Sequence, residues 1–416
     1  MKQNTTYKQT ELGLIPEDWE VKKLGELGKI INGLTYSPEN IKENGTLVLR
    51  SSNVQNDKIV YDDNVFVEEN ISFNPTKKDD VLICVRNGSR GLIGKTALID
   101  EQASNVAFGA FMAIYRSNSN NYIYNYFKSN YFFKEVHKNL GATINSINNN
   151  DLKKFKIPLP PLPEQKAIAD CLSTWDDAIE KQNALINALT DRKKALMQQL
   201  LTAKKRLPWF SGEWKEVKLG SICENFQNGN AFSAKDYKKT GIPIVTMGNI
   251  NLGGYFYFSE SKSNFWIEDK SLERYEIKKG DLIIAMTDVT PEKNLIGLTS
   301  IIDIDRIFYL NQRVGHIILK PKLADTDFIF YLSQNSYWRN QCKAFATLGV
   351  QANLGTNDIK NINIKLPSFE EQTAIAEILA TADRELQLQK EKLVQLQTQK
   401  KGLMQVLLTG KKRLIN

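Results

Sequence analysis

The feature that most constrains this chain is a long internal repeat without a gap. Pro160–Leu207 reads PPLPEQKAIADCLSTWDDAIEKQNALINALTDRKKALMQQLLTAKKRL, and Pro367–Leu414 reads PSFEEQTAIAEILATADRELQLQKEKLVQLQTQKKGLMQVLLTGKKRL. Glu164-Gln165 matches Glu371-Gln372, Ile168-Ala169 matches Ile375-Ala376, and Leu200-Leu201-Thr202 matches Leu407-Leu408-Thr409, always at the same offset. A match of that length is a duplicated structural unit, and any fold assigned to the chain must contain it twice.

Each copy is helical by pattern. Ile168, Leu172, Trp175, Ile179, Gln182, Ile186, Leu189, Lys193, Leu196 and Leu200 follow alternating steps of four and three. Ile375, Leu379, Ala382, Leu386, Gln389, Leu393, Leu396, Lys400, Leu403 and Leu407 keep the same register. That is a heptad seam with apolar a and d positions. Pro163 sits where a first helical turn tolerates proline, and Glu164 places negative charge at the positive end of the dipole. Lys204-Lys205-Arg206 and Lys411-Lys412-Arg413 close the helices with the opposite sign. Each helix is expected to run about 40 residues, roughly 60 Å at 1.5 Å per residue.

A lone helix cannot bury such a seam. The plain reading is two unrelated helices, each lying on its own domain. The sharper one is an antiparallel coiled coil between the copies. Its register would be set by the polar interruptions Gln182 with Gln389, amide against amide, and by Lys193 and Lys400. The two lysines are expected to face aliphatic layers near the helix ends and to snorkel to water.

The regions before the helices also correspond. Trp19-Glu20-Val21-Lys22-Lys23-Leu24-Gly25 resembles Trp214–Gly220, Asn32-Gly33 resembles Asn228-Gly229, and Lys78–Ile83 resembles Lys279–Ile284. Leu92-Ile93-Gly94 is matched by Leu295-Ile296-Gly297. Between these islands the halves diverge in sequence and length. Short β-branched runs punctuated by Gly, Asn and Asp predict mixed α/β domains of about 150 residues. The expected order is a globular domain over 1–157, a long helix within 158–207, a second domain over 208–363, and a second helix within 364–416. The class is α+β, with a pseudo-twofold, circular internal repeat whose two ends should lie close together.

The formal charge of +8 is compatible with a nucleic-acid surface but does not require one. Cys84, Cys171, Cys223 and Cys342 are scattered and form no CxxC pair, against a zinc site or a disulfide framework. No apolar stretch approaches 18 residues and the start lacks a signal-like core, so a cytoplasmic protein is expected. Arg90-Gly91-Leu92-Ile93-Gly94-Lys95-Thr96 resembles a phosphate loop, but Ser89 stands where that motif needs glycine. His137 and His316 lie outside any ligand-spaced cluster. The reading is of a non-catalytic chain that binds no metal or cofactor.

The LPPLPEQ…IA opening of the first helix, the Glu-Gln followed by Ile-Ala in both copies, and the LLT…KKRL ending of each, together with the opening TELGLIPEDWEVKKLGE, carry a resemblance along the whole chain. It resembles the specificity subunit of type I restriction–modification systems. The resemblance implies two target-recognition domains, each reading one half of a bipartite, asymmetric double-stranded DNA site. It implies a coiled coil that sets their spacing and docks two methyltransferase (modification) subunits, with restriction/translocase subunits completing the complex. S-adenosylmethionine, ATP and Mg are then expected on partner subunits, which methylate adenine N6 and cleave.

Base readout needs polar side chains where the halves diverge, with Arg suited to guanine and Asn or Gln to adenine. In the first domain the candidates are Asn53, Gln55, Asn56, Arg86, Asn87, Ser89, Arg90, Thr143 and Asn145. In the second they are Asn249, Asn251, Thr287, Asp288, Thr290, Gln351 and Asn353. Lys95, Lys235 and Lys293 are candidate phosphate contacts, which position without specifying. Each also has a plainer reading as a solvated loop residue. The rival functions are a stand-alone DNA-binding or coiled-coil scaffold protein and a fused methyltransferase or nuclease. The missing cofactor loop counts against the last.

Overall fold

In a computed structural model the chain is described over residues 6–140, 145–288, 292–346 and 352–414. It divides into two units, Met1–Asn183 with Glu391–Asn416, and Ala184–Lys390. The division cuts both long helices near their midpoints, because these span Leu162–Leu200 and Phe369–Leu407, 39 residues each.

The first unit holds a four-stranded antiparallel sheet in the order Thr96–Leu98, Val81–Cys84, Met112–Arg116, Lys29–Asn32. Val81–Cys84 is buried on both faces, which explains its uninterrupted apolar run. A second sheet orders Ala107–Phe108, Thr46–Leu49, Phe66–Val67 and Ile41–Lys42, its first pair parallel. The second unit repeats the first of these sheets and three strands of the second, but its fourth strand joins the opposite edge. Cys223–Asn228, Val314–Leu319, Leu282–Ala285 and Thr299–Ile301 form one sheet. Phe265–Trp266, Ile242–Val245, Phe308–Leu310 and Glu276–Ile277 form the other.

The sequence islands shared by the halves now have physical reasons. The strand after each matched tryptophan pairs with the strand that leads into a long helix. Glu20–Lys23 lies against Lys156–Leu159, and Lys215–Lys218 against Asn363–Leu366. Gly94 and Gly297 adopt φ of +84° and +72°. A side chain there would also press on the helix packed above, onto Val136 in the first unit and Cys342 in the second. The apparent phosphate loop at 90–96 is this tight turn.

Within the first unit, Ile168 and Leu172 of one helix share a buried core with Met404 and Leu407 of the other and with Leu408 just past its end. In the second unit Ile375 and Leu379 share one with Leu200 and Leu201. In both the helical segments run antiparallel, since the residues paired across them advance along one helix as they retreat along the other. Gln182 is buried and Gln389 half-buried.

The lysines depart from the expectation. Lys193 is mostly buried and, rather than extending to water, contacts Asp383, with its Nζ 2.7 Å from the Tyr255 hydroxyl. Lys400 contacts Asp176 in the same way. The cause is a carboxylate one turn along the facing helix, repeated at the same offset as the lysines; a buried ammonium gains more from it than from partial hydration.

The helix ends repeat another ion pair. Arg413 clamps Glu164 with two bonds of 2.7 Å, and the Trp19 indole donates to the same carboxylate at 2.9 Å. Arg206 clamps Glu371 at 2.6 and 2.7 Å, with Trp214 at 3.3 Å. In the second unit helix end and tryptophan belong to one continuous stretch. In the first they come from opposite ends of the chain, where Tyr7 also donates to the Gly410 carbonyl at 3.1 Å and Arg413 pairs with Asp18. The circular repeat is thus visible in the contacts of a single unit.

Candidate nucleic-acid interface

In the first unit the candidate loops converge. Val54–Gln55 and Lys58–Ile59 form a hairpin whose two-residue turn, Asn56-Asp57, has φ of +50° and +61°. This geometry favours Asn and Asp and leaves Gln55 and Asn56 exposed at the tip. Strand Val81–Cys84 runs out through Val85 to Arg86, which bridges to Ser146. Asn87 is the junction. Its Nδ2 donates to Ser51 Oγ at 2.9 Å, its Oδ1 accepts from the Ser89 amide at 2.9 Å, and its own amide donates to the Asn145 carbonyl at 3.3 Å. Asn145 Nδ2 closes the circuit on the Gly88 carbonyl at 3.0 Å. Segments 51–56, 86–90 and 145–146 are therefore one surface.

Arg86, Ser89 and Arg90 are exposed on it and Lys95 is half-buried beside it. Among the described residues none of these three cations has a carboxylate partner. Arg50 and Arg116, by contrast, are neutralised by Asp63 and Asp80. Uncompensated positive charge beside hydrogen-bonding amides is what a phosphate-lined ligand with readable edges requires.

Asn53 has a different job. It is fully buried, its Oδ1 accepts from the Arg50 amide, and its Nδ2 donates to the carbonyls of Val60 and Asp63 and to Asn64. Its whole hydrogen-bonding capacity shapes the loop that presents Gln55. Asn249 does the same in the second unit, accepting from the Thr246 amide and donating to the Tyr257 carbonyl.

The second unit assembles the equivalent surface from other chemistry. Thr287-Asp288 pairs in a ladder with Ala352-Asn353 where the described residues of the first unit form the Arg86–Ser146 bridge. Thr287 Oγ1 donates to Met247 Sδ at 3.1 Å, joining the same two segments that the Asn87–Ser51 contact joins in the first unit. Asp288 is buried and its carboxylate accepts from the Leu295 amide, so it is part of a turn. Asn251 Oδ1 accepts from the amides of Gly253 and Tyr255 and likewise makes a turn. Asn353 is exposed, Lys235 is exposed on the one-turn helix Ala234–Asp236, and Lys293 is half-buried with Nζ 3.5 Å from the Ala346 carbonyl. Thr143, Thr290 and Gln351 lie outside the described residues.

Two exposed residues of this surface were not anticipated. Phe111 and Arg313 occupy equivalent turns, and the Val85 and Met286 amides donate to their respective carbonyls at 3.0 Å. Phe111 lies in the run Ala107-Phe108-Gly109-Ala110-Phe111-Met112, which by pattern cannot be told from core.

Other reactive groups are held inactive. Burial pushes the thiols of Cys84 and Cys223 up to about 11 and that of Cys342 up to about 12. Burial also lowers the pKa of His316, which lies 3.7 Å from Asp281 on the central strands. Among the described residues no group of three or more His, Cys, Asp or Glu is placed to hold a metal. No described helix is long and apolar enough to cross a membrane.

Two scaffolds of closely similar topology, each displaying a different polar surface, define a bipartite recognition protein. Comparison with known proteins agrees. The family described as the type I restriction modification DNA specificity domain matches twice, over residues 16–191 and 211–398. The MjaVIII specificity subunit of Methanocaldococcus jannaschii is 28% identical, covering 97% of this chain and 95% of the relative. The EcoKI specificity subunit of Escherichia coli K12 is 25% identical over 87% of this chain and 82% of its own length. Among solved structures, the S subunit of a type I restriction–modification system from M. genitalium covers 97% of this chain and 99% of its own, with a TM-score of 0.57 at 18% identity. This chain belongs to the type I restriction–modification DNA-specificity family. It is a DNA-recognition subunit with two recognition domains rather than a catalytic one.

Proposed function

We propose that each unit reads one half of a bipartite, asymmetric DNA site, through the joined 51–56, 86–90 and 145–146 surface in the first and its counterpart in the second. The observation that carries this is the matched pair of scaffolds with unmatched surfaces: Arg86, Asn87 and Phe111 stand where the other unit has Thr287, Asp288 and Arg313. Arg86, Arg90, Gln55, Asn56, Asn353 and Arg313 are the readers or phosphate contacts. Asn53, Asn249, Asn251 and Asp288 build the loops.

The working domains remain 1–157, 158–207, 208–363 and 364–416, the helices acting as spacer and as docking site for two methyltransferase subunits, with restriction/translocase subunits joining them. S-adenosylmethionine, ATP and Mg belong to those partners, and the complex works in the cytoplasm.

The test is deletion of this chain from its host, followed by single-molecule sequencing for N6-methyladenine. Loss of a bipartite, asymmetric methylation motif is the expected result. Unchanged methylation, with the partners expressed, would favour a stand-alone DNA binder instead.

A further inference from the structure

The first recognition surface contains an arrangement not found among the described residues of the second. The Arg86 guanidinium lies over the Phe111 ring, 5.4 Å from its centroid. Phe111 is 54% exposed, an unusual place for a phenylalanine on a polar surface. Its carbonyl accepts from the amides of both Val85 and Arg86, at 3.0 and 3.1 Å, so ring and cation are rooted on the same two residues. Arg86 is also tied through its backbone to Ser146. Among the described residues no carboxylate competes for the guanidinium.

A cation destined only for a phosphate gains little from being held in place by a ring, because a phosphate accepts from any direction. Arg90 and Lys95 nearby have no such support. A guanidinium held against an aromatic face is restricted in the directions its planar fork can take, and that fork matches the two acceptors O6 and N7 of guanine. Ordering it before binding removes part of the entropy cost of the contact. We propose that Arg86 reads a guanine in the first half-site and that Phe111 is its positioning residue. The inference rests on the proposed DNA-reading role of this surface. In the second unit Thr287 and Arg313 take these places, so among the described residues there no arginine held on a ring stands in the equivalent position.

The experiment is selection from DNA randomised at both half-sites, using the complex of the full chain with its methyltransferase subunits. Wild type, Arg86→Lys, Arg86→Gln, Phe111→Leu and Phe111→Tyr are compared at two salt concentrations. Arg86→Lys and Arg86→Gln are each expected to lose about tenfold or more of the preference for guanine at one position of one half-site. The other half-site, read by the second unit, stays unchanged and reports intact assembly. Phe111→Leu, which keeps apolar bulk but not the ring face, loses preference at that same position, and Phe111→Tyr retains it. Uniform weakening across all sequences, with a salt slope lower by about one, makes Arg86 a phosphate contact and overturns the proposal. So does loss of the entire half-site in every Arg86 variant, or no change in any. If wild type selects no bipartite site, it is the proposed function that fails.

Discussion

In the first unit Lys400 and Lys128 both turn to Asp176, whereas in the second Lys193 turns alone to Asp383, with the hydroxyls of Tyr331 and Tyr255 completing the group. The helix-to-helix contact is the same in both. What differs comes from the recognition domains. Lys128 follows the helix Asn120–Phe127, and Tyr331 lies on its counterpart Thr326–Ser333. The repeated helices therefore supply a constant ion pair, and each domain completes it with its own chemistry. The first unit carries an excess cation there; burial and the neighbouring Lys400 lower the Lys128 pKa below the usual lysine range. In the second, burial and Asp383 together raise the pKa values of both tyrosines, which stay neutral donors.

The comparison breaks most visibly at the helix ends. Glu371→Ala strands the Arg206 cation and is expected to destabilise the second unit by about 3–5 kcal/mol, read as lost hydrogen-exchange protection there. Glu164→Ala should cost the first unit less, because Arg413 keeps Asp18. Equal losses would show that Asp18 contributes nothing.

Next in size are the lysines. Lys193→Met leaves the mostly buried Asp383 with only the Tyr331 and Tyr255 hydroxyls and should cost about 2–3 kcal/mol. Lys400→Met leaves Asp176 with Lys128 and should cost clearly less. A larger loss for Lys400→Met would remove Lys128 as a second partner.

The helix termini predict a smaller, opposite-signed pair. Ala203 and Gly410 occupy matched caps with φ of +56° and +67°. In both, the amide two residues on bonds back to a helical carbonyl, Lys205 to Gln199 and Lys412 to Val406, each at 3.1 Å. Ala203→Gly should stabilise its unit by about 1 kcal/mol, by relieving a left-handed alanine. Gly410→Ala should cost more than that, since a side chain there also meets Pro16. Thermal melts of the two variants check the signs.

The finest effect is in pH. The Lys128 ammonium faces Asp176 and Lys400 from the long helices, Asp57 from the hairpin turn and the ring of Tyr124. Its folded pKa is depressed, so its charge burdens the fold at low pH, and that burden lifts as pH rises from the folded pKa toward the unfolded value near 10.5. Subtracting a Lys128→Met melt series from wild type should leave a stability difference that moves in favour of wild type over this alkaline window. A flat difference would mean that the lysine titrates normally.

Much of this architecture was legible in the residues. Heptad spacing is a local property, so the long helices, their seam and the polar steps at Lys193 and Lys400 could be read directly. The islands around Trp19 and Trp214, and Gly94 and Gly297, marked equivalent places because backbone geometry there tolerates few residues. The candidate readers were legible as a class but not one by one. Asn53 and Gln55 are near neighbours of similar polarity, yet one is consumed inside the loop and the other is displayed at its tip. Asp288 looked like a surface acid and caps a turn.

What the sequence by itself determined is the duplication, the helices and the pairing of equivalent segments, because repetition and periodicity are carried by near neighbours along the chain. Only the tertiary structure decided which carboxylate each buried lysine meets, which amides are spent on loop geometry, and that Phe111 supports Arg86. Those outcomes depend on groups brought together from distant segments, and a polar side chain's role is set by the partner it finds in space once water is excluded.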